Sequence, residues 1–152
     1  MTLGRYAAGL AVLLLLFVGG GWRAQSEEPK ATTGEAPPER LRAITTQEAL
    51  KLVQRNKGNP NVVILDVRTP EEFKSGYIEG AINIDYYGPG FSVEIGKLDR
   101  TKTYLVYCRT GNRTEGTFAL MKELQFKEVY PVEGGITAWR AAGFPVTGQK
   151  RP

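Results

Sequence analysis

Cys108 is the only cysteine in this chain of 152 residues, and its surroundings favour a nucleophilic thiol. A β-branched and aromatic run at residues 103–107 predicts a strand before it, and residues 114–124 predict a helix after the short polar loop. In a strand–loop–helix arrangement, backbone N–H groups and a helix N-terminus point at the side chain that opens the loop. Such surroundings lower the pKa of a thiol and make the thiolate reactive.

The loop can ionise this thiol without a basic side chain. Roughly 2.7 kcal/mol of thiolate stabilisation leaves a thiol largely ionised near neutral pH. Each hydrogen bond to a charged acceptor contributes roughly 1.5–3 kcal/mol, and a helix N-terminus about 0.5–2 kcal/mol. Two or three N–H groups therefore suffice. The chain contains no histidine, which excludes a Cys–His pair of the protease type.

Two arginines in the loop suit an anionic substrate. Arg109 and Arg113 place two permanent positive charges beside the thiol and are predicted to bind a dianionic substrate. Alternatively, one of them pins the loop to Asp66 or Glu72.

The other loop residues are predicted to shape the substrate site. Gly111 permits a positive φ and a close backbone approach, while Thr110 and Asn112 offer side-chain hydrogen bonds. Asp66 and Arg68, which follow another predicted strand, are interpreted as supporting residues. A thiolate attacks without first losing a proton, so the reaction does not require Asp66 as a general base.

Composition restricts the function further. The chain is 41% hydrophobic and 24% charged, which fits one globular domain with attached segments. A single cysteine excludes an intramolecular disulfide and a cysteine-rich zinc site, and we expect no metal and no cofactor. The net charge is +4 without a long basic run, so nucleic-acid binding has little support.

The N-terminal 40 residues are predicted to lie outside the folded domain. Residues 1–24 combine Arg5 with an apolar run of signal-peptide length, and cleavage is expected after Gly21 or Ala24. The alternative is an uncleaved membrane anchor. Either way we expect an exported protein, periplasmic or extracellular. Residues 25–40 are rich in Pro, Glu, Thr and Ala and predict a flexible linker.

The folded domain is expected over residues 41–152. Strands are predicted at 43–44, 62–65, 81–84, 103–107 and 127–132, with helices at 45–55, 69–75, 92–98, 114–124 and 135–142. The buried stripe of the fourth helix is expected to contain Phe118, Met121 or Ala119, and Leu124. Alternating strands and helices predict a parallel α/β sheet, and sites in such sheets lie at the carboxyl ends of the strands. Asp66 and Cys108 each stand at such an end.

Five ordered motifs resemble those of single-domain rhodanese-like proteins. They are Leu65-Asp66-Val67-Arg68, Glu72-Phe73, the run at 76–84, the run at 107–113, and Gly134-Gly135-Ile136-Thr137-Ala138-Trp139 with Gly143-Phe144-Pro145-Val146. The resemblance implies a five-stranded parallel sheet with helices on both faces. It also implies a sulfurtransferase that forms a persulfide on Cys108, taking sulfur from a thiosulfate-like donor and passing it to cyanide or a thiol.

Two alternatives remain at this stage. The domain could be a non-catalytic sulfur carrier or binding module for an exported partner, because a carrier needs the same cysteine. A cysteine phosphatase or arsenate reductase also uses a strand–loop–helix nucleophile, but those resemble C-x5-R. Here the spacing from Cys108 to Arg113 is C-x4-R. Thiol–disulfide exchange is disfavoured because no resolving cysteine exists.

Overall fold

The computed structural model describes residues 40–148. The predicted signal segment and nearly all of the predicted linker lie outside this part, as do residues 149–152. The elements, in chain order, are α1 Thr46–Arg55, β1 Val62–Asp66, α2 Pro70–Lys74, β2 Ala81–Asn83, α3 Phe91–Gly96, β3 Thr103–Tyr107, α4 Asn112–Glu123, β4 Glu128–Pro131 and α5 Gly135–Ala141.

The sheet is parallel throughout, with the strand order β2-β1-β3-β4. The α/β prediction is confirmed, but the sheet of the described residues has four strands rather than five. In place of the predicted strand at 43–44, this segment makes only isolated parallel bridges, from Ile44 to Val132 and from the preceding Leu41 to Val129. Thr45 already caps α1, so too few residues remain beside β4 to form a ladder.

Helices cover both faces of the sheet. Side chains alternate along β3, so Leu105 and Tyr107 enter one core while Tyr104 and Val106 enter the other. The first core is closed by α1 and α5, and the second by α3 and α4. These four helices pack against the sheet, which fixes where the loops at the strand ends lie.

Two capping boxes fix the starts of α1 and α2. Thr45 pairs with Glu48, and Thr69 pairs with Glu72, each through reciprocal side-chain and backbone hydrogen bonds. Both starts agree with the sequence prediction. Among residues 40–148, no helix is both long and apolar enough to cross a membrane.

The buried face of α4 agrees in part with the expected stripe. Met121 is buried, and Phe118 and Leu124 pack half-buried against the core, whereas Ala119 is exposed. Thr114 and Thr117 are buried as well. The helix begins at Asn112, two residues earlier than predicted. Small threonines therefore face the interior of the protein beside the nucleophile loop.

Candidate active site

The loop after β3 wraps around the sulfur of Cys108. The Gly111 N–H donates a hydrogen bond to Sγ at 3.1 Å. Gly111 has a φ of 121°, a conformation that residues with a side chain rarely adopt, and α4 begins at the next residue. Glycine at this position therefore allows the chain to turn back on its own nucleophile.

Several donors favour the thiolate over the thiol. Burial raises the pKa of Cys108, but the Thr114 hydroxyl and the backbone N–H groups of Gly111, Thr114 and Thr110 outweigh it and hold the pKa below its ordinary value. The Thr114 hydroxyl is buried and makes no hydrogen bond among the described residues, so it is available to the nearby sulfur when Cys108 ionises. An anionic sulfur is supported here by peptide groups and one hydroxyl, without a general base.

The sulfur is reached through a small cavity. Cys108 is only 1% exposed, yet it lines a cavity of about 310 Å³ at the carboxyl edge of the sheet. The other lining residues are Thr69, Glu72, Tyr87, Arg109, Thr110, Asn112 and Arg113. Four of the five predicted substrate-binding residues thus line one cavity. The fifth, Gly111, does not line it but donates its N–H to the sulfur.

The two arginines of the loop have different surroundings. Arg113 forms a bidentate ion pair with Glu72, with N–O distances of 2.6 and 2.8 Å, and its guanidinium lies 5.5 Å from the ring centre of Tyr87. The hydrogen bonds from Arg113 lower the pKa of Glu72 to about 2, against an opposing effect of burial. The pair raises the pKa of Arg113. Arg113 therefore ties α4 to α2, and its charge is largely neutralised.

Arg109 is the less constrained of the two. Its side chain is exposed at the cavity and, within residues 40–148, it makes no ion pair or side-chain hydrogen bond. The alternative in which one arginine pins the loop therefore describes Arg113, with Glu72 as its partner. Arg109 retains a full positive charge that can meet an anion.

Asp66 and Arg68 form a separate, buried arrangement. They are 0% and 2% exposed and form an ion pair with a shortest distance of 2.6 Å. Arg68 also donates to the Gly76 carbonyl at 2.8 Å, and the Asn83 amide binds the carbonyls of both residues. Neither side chain lines the cavity around Cys108. Asp66 and Arg68 therefore hold the end of β1 against Gly76 and against Asn83 of β2, which is a structural role.

Sequence reasoning did not assign a site role to Tyr87, Thr69 or Thr114. Tyr87 is 69% exposed and stands at the cavity rim after β2. Its position beyond a strand end is the one signal that points to it. The sequence predicted Thr114 only as the first residue of a helix. Its position near the sulfur depends on how the loop folds and has no sequence signal.

No group of three or more potential metal ligands occurs within residues 40–148. A second and larger cavity, of about 600 Å³, lies among α1, α5 and the amino-terminal half of β1. Its lining does not include Cys108. The chemistry expected of the loop therefore belongs to the smaller, polar cavity.

Comparison with known proteins identifies the family. The rhodanese-like domain matches residues 49–142. The chain belongs to the rhodanese-like family. This agrees with the resemblance seen in the five motifs, and it places the protein among relatives that include sulfurtransferases.

Two relatives illustrate the similarity. The chain is 31% identical over 101 residues to thiosulfate sulfurtransferase GlpE of Pseudomonas putida, covering 66% of this chain and 86% of that protein. It is 27% identical over 95 residues to a sulfurtransferase of Allochromatium vinosum, covering 62% of this chain and 87% of that protein. The matched region in each case is the length of one rhodanese-like domain.

Solved structures share the fold. A rhodanese-related protein from Thermoplasma volcanium is 31% identical, with a TM-score of 0.58 over 71% of this chain and 99% of that one. A protein of unknown function from Rhodopseudomonas palustris, described as a possible tyrosine phosphatase, is 30% identical, with a TM-score of 0.54 over 70% of this chain and 84% of that one. The second description makes the phosphatase alternative worth an explicit test.

Proposed function

We propose that this protein is a sulfurtransferase that carries a sulfane sulfur on Cys108. The observation that supports the proposal most strongly is the set of donors around Sγ, which favours a thiolate at the base of a cavity that Arg109 borders. The sulfurtransferases among its relatives support the same chemistry.

The reaction proceeds by two displacements at sulfur. The Cys108 thiolate attacks the outer sulfur of a thiosulfate-like dianion, the new S–S bond forms, and the old S–S bond breaks as sulfite leaves with the bonding electrons. A thiophilic acceptor, cyanide or a thiol, then attacks the outer sulfur of the persulfide and regenerates the thiolate. Neither displacement needs a proton removed from Cys108, which is consistent with a site that has no histidine.

Each part of the cavity has a role in this scheme. Arg109 attracts the dianionic donor by its charge, which no carboxylate in the described part of the chain pairs with. The N–H groups of Thr110 and Gly111 and the Thr114 hydroxyl stabilise negative charge on the inner sulfur before and after transfer. Arg113 and Glu72 hold the two sides of the cavity at a fixed distance.

The direct experiment is turnover of thiosulfate and cyanide to thiocyanate and sulfite. We expect many turnovers per molecule, with none for Cys108→Ser. Loading of one sulfur per molecule without turnover would instead support the carrier or binding-module alternative.

The phosphatase alternative is tested with a chromogenic aryl phosphate. The four residues between Cys108 and Arg113 leave less room for a tetrahedral phosphate than a C-x5-R loop does, and Arg113 is already paired with Glu72. We expect no hydrolysis. Hydrolysis that disappears in Cys108→Ala would reverse the ranking of the two enzymes.

The proposal extends to an exported site of action. The apolar run at residues 1–24 supports it, and the mature N-terminus of the protein purified from its host distinguishes a cleaved signal from a retained anchor. We expect a mature N-terminus after Gly21 or Ala24. An intact N-terminus on protein that fractionates with membranes would support the anchor.

A further inference from the structure

The segment after β4 binds the backbone of the nucleophile loop. The Ile136 N–H donates to the Cys108 carbonyl at 2.9 Å, and the Thr137 N–H donates to the Arg109 carbonyl at 3.1 Å. The carbonyl oxygens of these two loop residues are thus turned toward the first turn of α5. Carbonyl oxygens that faced the sulfur would repel a thiolate, so the direction of these two groups affects the nucleophile.

Peptide planarity transmits this orientation to the sulfur. In a trans peptide the C=O and the following N–H point in opposite directions. Because Thr137 holds the Arg109 carbonyl, the N–H of Thr110 is directed away from α5. The next N–H along the loop, that of Gly111, donates to Sγ at 3.1 Å, and the Thr110 N–H also helps to lower the pKa of Cys108. The α5 segment therefore controls a donor that belongs to another part of the chain.

Gly135 makes this approach possible. It is buried and has a φ of 55°. A Cβ at this position would overlap the Cys108 carbonyl oxygen and would lie 2.8 Å from the carbonyl carbon and oxygen of Arg109. These are backbone atoms, which cannot rotate aside as a flexible side chain can. Any side chain at residue 135 must therefore separate α5 from the loop.

We propose that Gly135 is a positioning residue for Cys108: by lacking a side chain, it lets the N–H groups of Ile136 and Thr137 hold the loop carbonyls and so directs the loop N–H groups at the sulfur. The inference rests on the proposed function only in taking Cys108 as the nucleophile. It assigns a role in the site to the Gly134-Gly135 motif beyond the opening of a helix.

The first test compares Gly135→Ala with Gly143→Ala. Gly143 lies just beyond the other end of α5 with a φ of 73°, and a Cβ there would meet nothing within 4 Å. Both substitutions impose similar backbone strain, but only the first displaces the loop. The measurement is the rate of Cys108 alkylation by iodoacetamide as a function of pH, with the melting temperature recorded for each variant.

We expect Gly135→Ala to move the alkylation profile to higher pH and to react roughly tenfold more slowly at pH 7, the factor for losing one hydrogen bond to a charged acceptor. Gly143→Ala should retain the profile of the unchanged protein. A folded Gly135→Ala variant with an unchanged profile would overturn the inference. Equal shifts in both variants would also overturn it, because they would show a general effect of strain.

If Gly135→Ala does not fold, a second pair of variants, at Thr137, tests whether the α5 segment positions the loop. Thr137→Pro deletes the N–H that holds the Arg109 carbonyl, in the first turn of a helix where proline is tolerated. Thr137→Ala keeps the N–H and removes only an exposed side chain. We expect slower alkylation in the proline variant alone. Matching profiles in the two variants would contradict the proposed role.

Sulfur loading from thiosulfate, measured on the same samples, separates this inference from the proposed function. If the unchanged protein takes up no sulfur but the Gly135→Ala profile still shifts, the positioning role holds and sulfurtransfer fails. If the unchanged protein takes up sulfur and all four variants alkylate like it, sulfurtransfer holds and the positioning role fails.

Discussion

The loops after β1 and β3 occupy the same kind of position and differ in how their polar groups are used. Both follow buried parallel strands and lie at the carboxyl edge of the sheet. After β1, the charges of Asp66 and Arg68 are buried and paired with each other. After β3, backbone donors converge on Cys108 and the charge of Arg109 faces the cavity.

The difference shows that a strand end becomes a reactive site only when some of its polar groups remain available. The guanidinium and carboxylate of the Asp66–Arg68 pair satisfy each other, so the loop after β1 gains rigidity and has little left for a substrate. The loop after β3 uses its donors on a single ionisable sulfur. We therefore expect mutations of Asp66 and Arg68 to affect stability and mutations of Cys108 and Arg109 to affect reactivity.

The largest effect is expected from Cys108→Ser. A hydroxyl does not ionise at neutral pH, so thiocyanate formation should fall to the rate measured without protein. The fold should persist, because the side chains are nearly equal in size. Thiocyanate assays and thermal melts check both halves of this prediction. Residual turnover in the serine variant would place the reaction elsewhere.

The next largest effect is expected from Arg68→Met, and it should fall on stability. Removing one partner of a buried ion pair leaves the other charge unpaired, at a cost of about 3–5 kcal/mol. Urea denaturation measures the free energy of unfolding. Adding Asp66→Asn should recover part of the loss, because it removes the unpaired charge. An Arg68→Met protein that is as stable as the unchanged protein but takes up less sulfur would contradict a purely structural role for this pair.

Arg109→Ala should affect the donor and leave the fold unchanged. We expect the KM for thiosulfate to rise about five- to tenfold, because a charge facing the dianion is lost. The melting temperature should stay constant, since Arg109 has no side-chain partner within residues 40–148. Arg113→Ala is the matched control and should lower stability by breaking its pair with Glu72. A raised KM in Arg113→Ala together with lowered stability in Arg109→Ala would show that Arg113, and not Arg109, binds the donor.

The smallest effect is expected from Glu72→Gln, and it should depend on pH. Arg113 lowers the pKa of Glu72 from 4.5 to about 2, so the pair stabilises the fold above about pH 4.5 and loses that effect as the pH falls toward 2. The unchanged protein should exceed the variant by about 1 kcal/mol at pH 6, allowing for partial exposure. Urea titrations between pH 6 and pH 2 should show the gap closing. A gap that stays constant over this range would indicate a role unrelated to charge.

Local patterns predicted most of the fold. The aliphatic run at 62–65 and the threonines that can cap helices, Thr45 and Thr69, are short-range signals, and the structure has a strand and two helices where they indicate. The strand predicted at 43–44 reduces to isolated bridges because two residues before a helix cap cannot form a ladder. The stripe predicted for α4 is confirmed for Met121, with Phe118 and Leu124 half-buried against the core, but it missed the buried Thr114 and Thr117.

The site was predictable in its centre and only in part in its contacts. The position and lone occurrence of Cys108 identified the loop from sequence. An ion pair between a loop arginine and Glu72 was one of the alternatives, but which arginine forms it depends on how α2 and α4 meet, because Arg113 and Glu72 are 41 residues apart. Likewise, the contact of Gly135 with the Cys108 carbonyl joins segments from two strand ends. Such relations are set by tertiary packing, which no local pattern encodes.

The most direct test of sulfurtransfer at Cys108 is the intact mass of the protein after incubation with thiosulfate and removal of excess donor. The account predicts the addition of one sulfur atom to the protein, its absence in Cys108→Ser, and its removal by cyanide. An unchanged mass in protein whose Cys108 is alkylated readily at neutral pH would contradict the account, because the thiolate would then be present and accessible without accepting sulfur.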